Sequence, residues 1–122
     1  MKALVIDDSR AMRMILTRTL SEIGYEVVQA ANGREALESV PAIAGDLSVI
    51  LVDWNMPEMN GYDFVVEFRK DKEMSHVPIM MVTSESEMDR VEAALRAGAN
   101  EYLMKPFTTD GVRAKLMMLG VA

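Results

Sequence analysis

The sequence predicts an open α/β fold: a doubly wound, five-stranded parallel sheet flanked by five helices. Three observations support this prediction: five apolar runs of strand length, helical spacing of apolar residues between them, and a length of 122 residues, typical of one domain. Strand and helix units are joined by right-handed crossovers, and five units are too few to close a barrel. We therefore expect residues 1–122 to form a single domain.

The predicted strands are short and rich in Val, Ile, Leu and Met, as expected for strands buried on both faces of a parallel sheet. They cover residues 3–6, 27–28, 49–52, 79–82 and 102–104.

The predicted helices lie between the strands and after the last one. In the first, apolar residues recur every three or four positions from Met12 to Ile23, Asp8 or Ser9 can serve as the N-cap, and Gly24 ends the helix. A second helix starts at Gly33 and is expected to end near Pro41, because proline disfavours a helix interior. The remaining helices are predicted over residues 62–70, 88–97 and 110–119.

The composition argues against several functional classes. A net charge of -6 disfavours a nucleic-acid partner, which would require clustered Lys and Arg. The absence of cysteine excludes a thiolate metal site and a cysteine nucleophile. No apolar run has the length of a membrane span or the layout of a signal peptide, so we expect a cytoplasmic protein with no membrane partner.

Polar residues stand where four of the predicted strands end. Asp7 and Asp8 follow the first strand, Asp53 the third, Thr83 the fourth and Lys105 the fifth. Ligands of open α/β sheets bind outside the carboxyl ends of the strands. The candidate site is therefore expected at this edge of the sheet.

These residue types suit phosphoryl transfer assisted by a metal ion. Neighbouring carboxylates raise each other's pKa, and a hard cation such as Mg²⁺ (or Mn²⁺) compensates for their charge. Asp53 is the candidate nucleophile, which would form an acyl phosphate, while Lys105 and Thr83 would contact the phosphoryl oxygens.

Each of these residues also has an ordinary structural interpretation. Asp7 and Asp8 would suit the N-terminal end of a helix, Thr83 a turn at the end of a strand, and Lys105 the surface. It is their joint placement at one edge of the sheet that favours a functional site.

Four motifs, in order, resemble one known family. They read Val-Ile-Asp-Asp-Ser at 5–9, Val-Asp-Trp-Asn-Met-Pro-Glu-Met-Asn-Gly at 52–61, Val-Thr-Ser at 82–84 and Ala-Gly-Ala-Asn-Glu-Tyr-Leu-Met-Lys-Pro-Phe-Thr at 97–108. The chain thus resembles, over nearly its whole length, the response-regulator receiver domains, in particular the single-domain chemotaxis regulators of the CheY type. The resemblance implies the strand order 2-1-3-4-5 of the flavodoxin-like and CheY-like folds, an order taken over from that family.

The resemblance also implies a set of residue roles. Mg²⁺ would be held by Asp7, Asp8, Asp53 and the backbone carbonyl of Asn55. Asp53 would accept a phosphoryl group from a histidine kinase or a phosphotransfer domain, Thr83 and Lys105 would contact that group, and the Lys105-Pro106 peptide would be cis. Pro57 and Gly61 would shape the loop after the acceptor.

By the same resemblance, phosphorylation changes the binding of a protein target. Thr83 and Tyr102 would form the switch, although Tyr102 also fits a core aromatic with a solvated hydroxyl. Asn55 and Glu85 would tune water access and give a short-lived phosphoryl group. The output face, which binds the target, would comprise residues 88–97, 101–104 and 110–119. The target would belong to chemotaxis or flagellar motor control. Two departures are Ser84, where the family often has Ala, and a short final helix.

Two other interpretations compete with this one. A phosphatase of the haloacid-dehalogenase type also uses an aspartyl phosphate and Mg²⁺, but normally places its nucleophile on the first strand with a second acidic residue two positions later. A receiver excised from a longer regulator or hybrid kinase would act through a separate output domain. We expect a monomeric signalling module rather than an enzyme, with self-catalysed phosphotransfer and autodephosphorylation.

Overall fold

The computed structural model describes residues 1–121, apart from the side chain of Glu85. Strands and helices alternate along the chain. The strands are β1 (Lys2–Ile6), β2 (Glu26–Ala30), β3 (Leu47–Asp53), β4 (Ile79–Thr83) and β5 (Glu101–Met104). The helices are α1 (Arg10–Ile23), α2 (Gly33–Ile43), α3 (Gly61–Phe68), α4 (Val91–Ala97) and α5 (Thr109–Met118), and short 3-10 segments cover Ala44–Asp46, Lys72–Met74 and Glu85–Arg90.

The five strands form one parallel sheet in the order β2-β1-β3-β4-β5. Both the predicted fold class and the strand order implied by the resemblance are confirmed. Ile6 pairs with Val52, and Asp53 pairs with Val82. This register brings the carboxyl ends of β1, β3 and β4 to the same level, where the side chains that follow them can meet.

The sheet separates two apolar cores. Side chains of alternating direction along the central strands pack against α2, α3 and α4 on one face and against α1 and α5 on the other. Leu4 belongs to the first core and Ala3 and Val5 to the second, and all three are fully buried. The central strands are buried on both faces, which explains their near-continuous apolar sequence.

Helix α1 begins and ends where its sequence predicts. The Ser9 side chain accepts a hydrogen bond from the Met12 N–H at 3.2 Å, which satisfies a free N–H of the first turn. Gly24 ends the helix with a φ of +118°, a conformation that glycine adopts without steric cost.

Helix α2 does not end near Pro41, so that prediction was wrong. The helix continues to Ile43 with Pro41 inside its last turn. Pro41 has no N–H to donate within the helix, but the residues beyond Val40 bury Ile43 against the first core.

The predicted fourth helix, over residues 88–97, is also corrected. Its first part is a 3-10 segment, Glu85–Arg90, and the α-helix begins only at Val91. Glu87 accepts a hydrogen bond from the Ser84 N–H at 2.9 Å, which holds the start of this tighter winding. In the described part of the chain, no helix has the combination of length and apolar character needed to span a membrane.

Candidate functional site

Three carboxylates meet at the carboxyl edge of the sheet. Asp7 and Asp8 follow β1 and Asp53 ends β3, and one oxygen from each of them lies within 4.8 Å of those of the other two. Asp7 is 1 % exposed and Asp53 7 %, whereas Asp8 is open to solvent. The structure thus brings together the acidic residues that the sequence predicted at one edge.

Burial disfavours the ionised form of both buried carboxylates, Asp7 and Asp53. Loss of solvent, together with the nearby charge of Asp7, raises the pKa of Asp53 to about 6, although the hydrogen bond and the charge of Lys105 work in the opposite direction. Burial likewise raises the pKa of Asp7, partly offset by the Ser9 N–H. The folded chain therefore carries an unfavourable concentration of negative charge.

One oxygen of Asp7 lacks a partner. Its Oδ1 accepts a hydrogen bond from the Ser9 N–H at 2.8 Å, but the buried Oδ2 has no hydrogen-bond partner among the residues described. A buried carboxylate oxygen left in this way is costly unless a cation shares the space. Carboxylate oxygens are ligands that Mg²⁺ and Mn²⁺ prefer, so these three residues fit a divalent ion.

Lys105 supplies the positive charge of the site. It follows β5, and its Nζ lies 3.1 Å from Asp53 Oδ1. Its backbone N–H donates to the Thr83 carbonyl at 2.7 Å, which fixes the start of the loop to β4. The Lys105-Pro106 peptide is cis, as the resemblance implied.

Thr83 is at the expected edge, and its side chain hydrogen-bonds to Ser84 rather than to Asp53. Its side chain is fully buried, and its hydroxyl donates to the Ser84 carbonyl at 3.2 Å. A hydroxyl can rotate to another acceptor at little cost, so this arrangement is compatible with a switch residue.

The loop after Asp53 folds back tightly on the end of β3. A Cβ on Gly61 would lie 2.3 Å from the Asp53 carbonyl oxygen, so only glycine fits here. The Gly61 N–H also donates to the Trp54 carbonyl at 2.8 Å, which closes the loop. Glu58, inside the loop, adopts a positive φ of 66°.

Comparison with known proteins identifies the family. The sequence matches the response regulator receiver domain over residues 3–117. The chain belongs to this family. It is therefore a two-component signalling domain homologous to the chemotaxis response regulators, and the family match favours this interpretation over a haloacid-dehalogenase-like phosphatase.

Several relatives cover almost the whole receiver domain. Chemotaxis protein CheY1 of Helicobacter pylori is 49% identical over 117 residues, which cover 95% of this chain and 94% of that protein. The CheY homolog of Campylobacter jejuni is 44% identical, with coverages of 95% and 89%. The solved structure of CheY4 from Vibrio cholerae is similar with a TM-score of 0.88 at 36% identity and covers 97% of each chain.

One acidic residue of this receiver domain was missed by sequence reasoning. Glu87 is only 7 % exposed, and its carboxylate accepts hydrogen bonds from the Asn55 side-chain amide and from both the N–H and the hydroxyl of Ser84. The Ser-x-x-Glu spacing from Ser84 to Glu87, typical of the first turn of a helix, could have revealed it. The side chain of Glu85, the predicted tuning partner of Asn55, lies outside the described residues, so its role stays a prediction.

Tyr102 lies on β5, half-buried beside the final helix. The Nζ of Lys115 lies 4.3 Å from the centre of its ring and 3.0 Å from Glu101 Oε1. This ammonium stabilises one face of the ring by a cation–π interaction. Lys115 thus joins the Tyr102 ring to α5, and the predicted movement of Tyr102 remains a prediction.

Proposed function

We propose that this receiver domain is a phosphorylation-dependent switch whose phosphoryl acceptor is Asp53. The observation that supports the proposal most directly is the pairing of the buried Asp53 carboxylate with Lys105 beside two further aspartates. Asp7, Asp8, Asp53 and the Asn55 backbone carbonyl are the proposed holders of Mg²⁺ or Mn²⁺. When bound, such an ion neutralises negative charge on the carboxylates and on the phosphoryl oxygens.

Phosphorylation is a direct displacement at phosphorus. An Asp53 carboxylate oxygen forms the new O–P bond while the P–N bond of a phosphohistidine breaks, and the departing imidazole takes up a proton. With acetyl phosphate, the P–O bond breaks instead and acetate leaves. Lys105 stabilises the negative charge of the transferring oxygens, since its ammonium already lies at the acceptor.

Dephosphorylation regenerates the carboxylate. A water oxygen attacks phosphorus, the bond to Asp53 breaks, and inorganic phosphate leaves. Asn55 and Glu85 are the proposed tuning residues that set how readily water enters, and a short phosphoryl lifetime is expected. The chain thus catalyses reactions on its own side chain and acts as a signalling module rather than as an enzyme for external substrates.

The proposed switch joins the phosphoryl group to the output face. Phosphorylation adds charge and acceptor oxygens, so the Thr83 hydroxyl turns toward them and away from the Ser84 carbonyl. Tyr102 then moves inward into the space beside Thr83. The output face comprises α4, β5 and α5, which present Leu95, Met104 and Met118 to solvent.

The proposed partners are a histidine kinase or phosphotransfer domain upstream and a protein target downstream. Because the relatives are named chemotaxis proteins, we place the target in chemotaxis or flagellar motor control. The proposal treats residues 1–122 as one monomeric, cytoplasmic receiver domain, with no nucleic-acid or membrane partner.

Intact-mass measurement after incubation with acetyl phosphate and Mg²⁺ tests the acceptor. Wild type should gain the mass of one phosphoryl group, and EDTA should prevent the gain. The Asp53→Asn variant should gain nothing, whereas Asp110→Asn, which alters an exposed aspartate of α5, should behave as wild type. Labelling of Asp53→Asn at the wild-type level would refute the assignment.

A further inference from the structure

Glu87 connects two loops that border the acceptor. It lies in the 3-10 segment between β4 and α4, and its carboxylate binds Ser84, the residue before that segment, and the Asn55 amide in the loop after β3. The distances to the Ser84 N–H and hydroxyl are 2.9 and 3.0 Å. A single buried carboxylate therefore fixes the relative position of two loops.

The charge of Glu87 has no cationic partner in the described part of the chain. Hydrogen bonds alone compensate for its burial. Its charge lies close to the acceptor, since Glu87 binds the side chain of Asn55, two residues after Asp53. In a partly desolvated site, like charges interact more strongly than they do in water.

A phosphoryl group on Asp53 would increase this repulsion. The acyl phosphate carries a charge of about -1.5 to -2 at neutral pH in place of the single charge of the carboxylate, close to Glu87, which binds Asn55 in the loop after Asp53. The Asn55 amide, which Glu87 now holds, is a donor that could instead approach phosphoryl oxygens. Both effects favour separation of Glu87 from Asn55 in the phosphorylated domain.

We infer that Glu87 is a positioning residue that holds Asn55 and the turn at Ser84 in their unphosphorylated arrangement and disfavours the phosphorylated one. The inference rests on the proposed function of Asp53. Release of Glu87 loosens the 3-10 segment, which leads directly into α4, so this side chain couples the acceptor to the output face.

Titration with fluoroberyllate, a phosphoryl analogue, at saturating Mg²⁺ tests this inference. Trp54 is buried directly after Asp53 and supplies the fluorescence signal. Removal of the charge in Glu87→Gln should increase the affinity roughly fivefold or more, the usual lower range of coupling between sites. Asp89→Asn, which removes an exposed charge from the same segment, should bind as wild type.

The direction of the change separates this role from a purely structural one. If Glu87 only supported the fold, Glu87→Gln would weaken binding and lower the free energy of unfolding in urea. If Glu87 acts through the Asn55 side chain, Glu87→Gln should increase the affinity for fluoroberyllate less when Asn55→Ala is also present. Asn55→Ala leaves the backbone carbonyl of this residue in place.

Two outcomes distinguish this inference from the proposed function. If wild type fails to bind fluoroberyllate, the proposed function itself is wrong. If wild type binds but Glu87→Gln binds no more tightly, only the inference about Glu87 is overturned. The inference about Glu87 is also overturned if Glu85→Gln, at the tuning position implied by the resemblance, binds fluoroberyllate more tightly while Glu87→Gln does not.

Discussion

Replacement of Asp53 by asparagine should stabilise the metal-free protein while abolishing its phosphorylation. The substitution keeps the shape of the side chain and removes one negative charge from the cluster of Asp7, Asp8 and Asp53. It also lowers the cost of ionising Asp7, whose pKa is raised by burial. Loss of the ion pair with Lys105 costs little, because the lysine remains partly accessible to solvent.

The magnitude follows from the pKa of Asp53. Burial and the Asp7 charge raise it from 3.8 to about 6 in the folded state. At about 1.4 kcal/mol for each pKa unit, ionisation destabilises the fold by about 3 kcal/mol. Between these two values the folded chain binds more protons than the unfolded chain, so the stability of wild type falls as the pH rises. The penalty is absent below about pH 4 and complete above about pH 6 to 7.

Urea unfolding in EDTA at two pH values measures this penalty. Near pH 7 the free energy of unfolding of Asp53→Asn should exceed that of wild type by about 2 to 3 kcal/mol, and near pH 4 the two should agree. Glu38→Gln, which removes an exposed carboxylate from α2, should match wild type at both pH values. Addition of Mg²⁺ should reduce the difference in unfolding free energy between the variant and wild type, since an ion that binds folded wild type stabilises it.

Equal or lower stability of Asp53→Asn near pH 7 in EDTA would refute this reasoning. The acidic cluster would then not be unfavourable without a cation, and the need for a metal ion would lose its physical basis. If the variant remained more stable than wild type by the same amount near pH 4, its higher stability would come from packing rather than from charge.

Three further substitutions test other parts of the site and the scaffold. Lys105→Met should slow phosphorylation by acetyl phosphate about a hundredfold, measured by mass spectrometry, and should raise the pKa of Asp53 further, measured by NMR titration. A near-normal rate would show that Lys105 takes no part in the reaction. Gly61→Ala forces a methyl group against the backbone of Asp53, so the free energy of unfolding, measured in urea, should fall by about 1 to 3 kcal/mol. Unchanged stability would mean that the loop after Asp53 shifts to accept the methyl group at no cost. Arg69→Met removes three hydrogen bonds that tie α3 to the loops before β4 and β5, so we expect a loss of about 2 to 4 kcal/mol, and a change below about 1 kcal/mol would contradict this role.

Much of the fold and the principal site residues could be predicted from the sequence. Five apolar runs separated by helical patterns allow few topologies, and in a parallel sheet the ends of these runs necessarily share one edge. Residues directly after a strand, such as Asp7, Asp53 and Lys105, could therefore be assigned to one site. The strand order and the individual roles required the resemblance to receiver domains.

The positions of residues within loops were less predictable. The length of α2 depended on the burial of Ile43 against the sheet, a long-range contact that outweighed the local effect of Pro41. The 3-10 segment after Ser84 likewise formed around a hydrogen bond to Glu87. Neither effect follows from periodicity alone.

By itself, the sequence determined that this protein has a parallel α/β sheet with acidic and basic residues at its carboxyl edge, because strand periodicity is a local property. Only the tertiary structure decided that Asp7 Oδ2 lacks a partner, that Gly61 touches the backbone of Asp53, and that Glu87 binds Asn55. Asn55 and Glu87 are 32 residues apart, and the direction of each side chain is set by the path of its loop. That path depends on how both loops pack over the edge of the sheet.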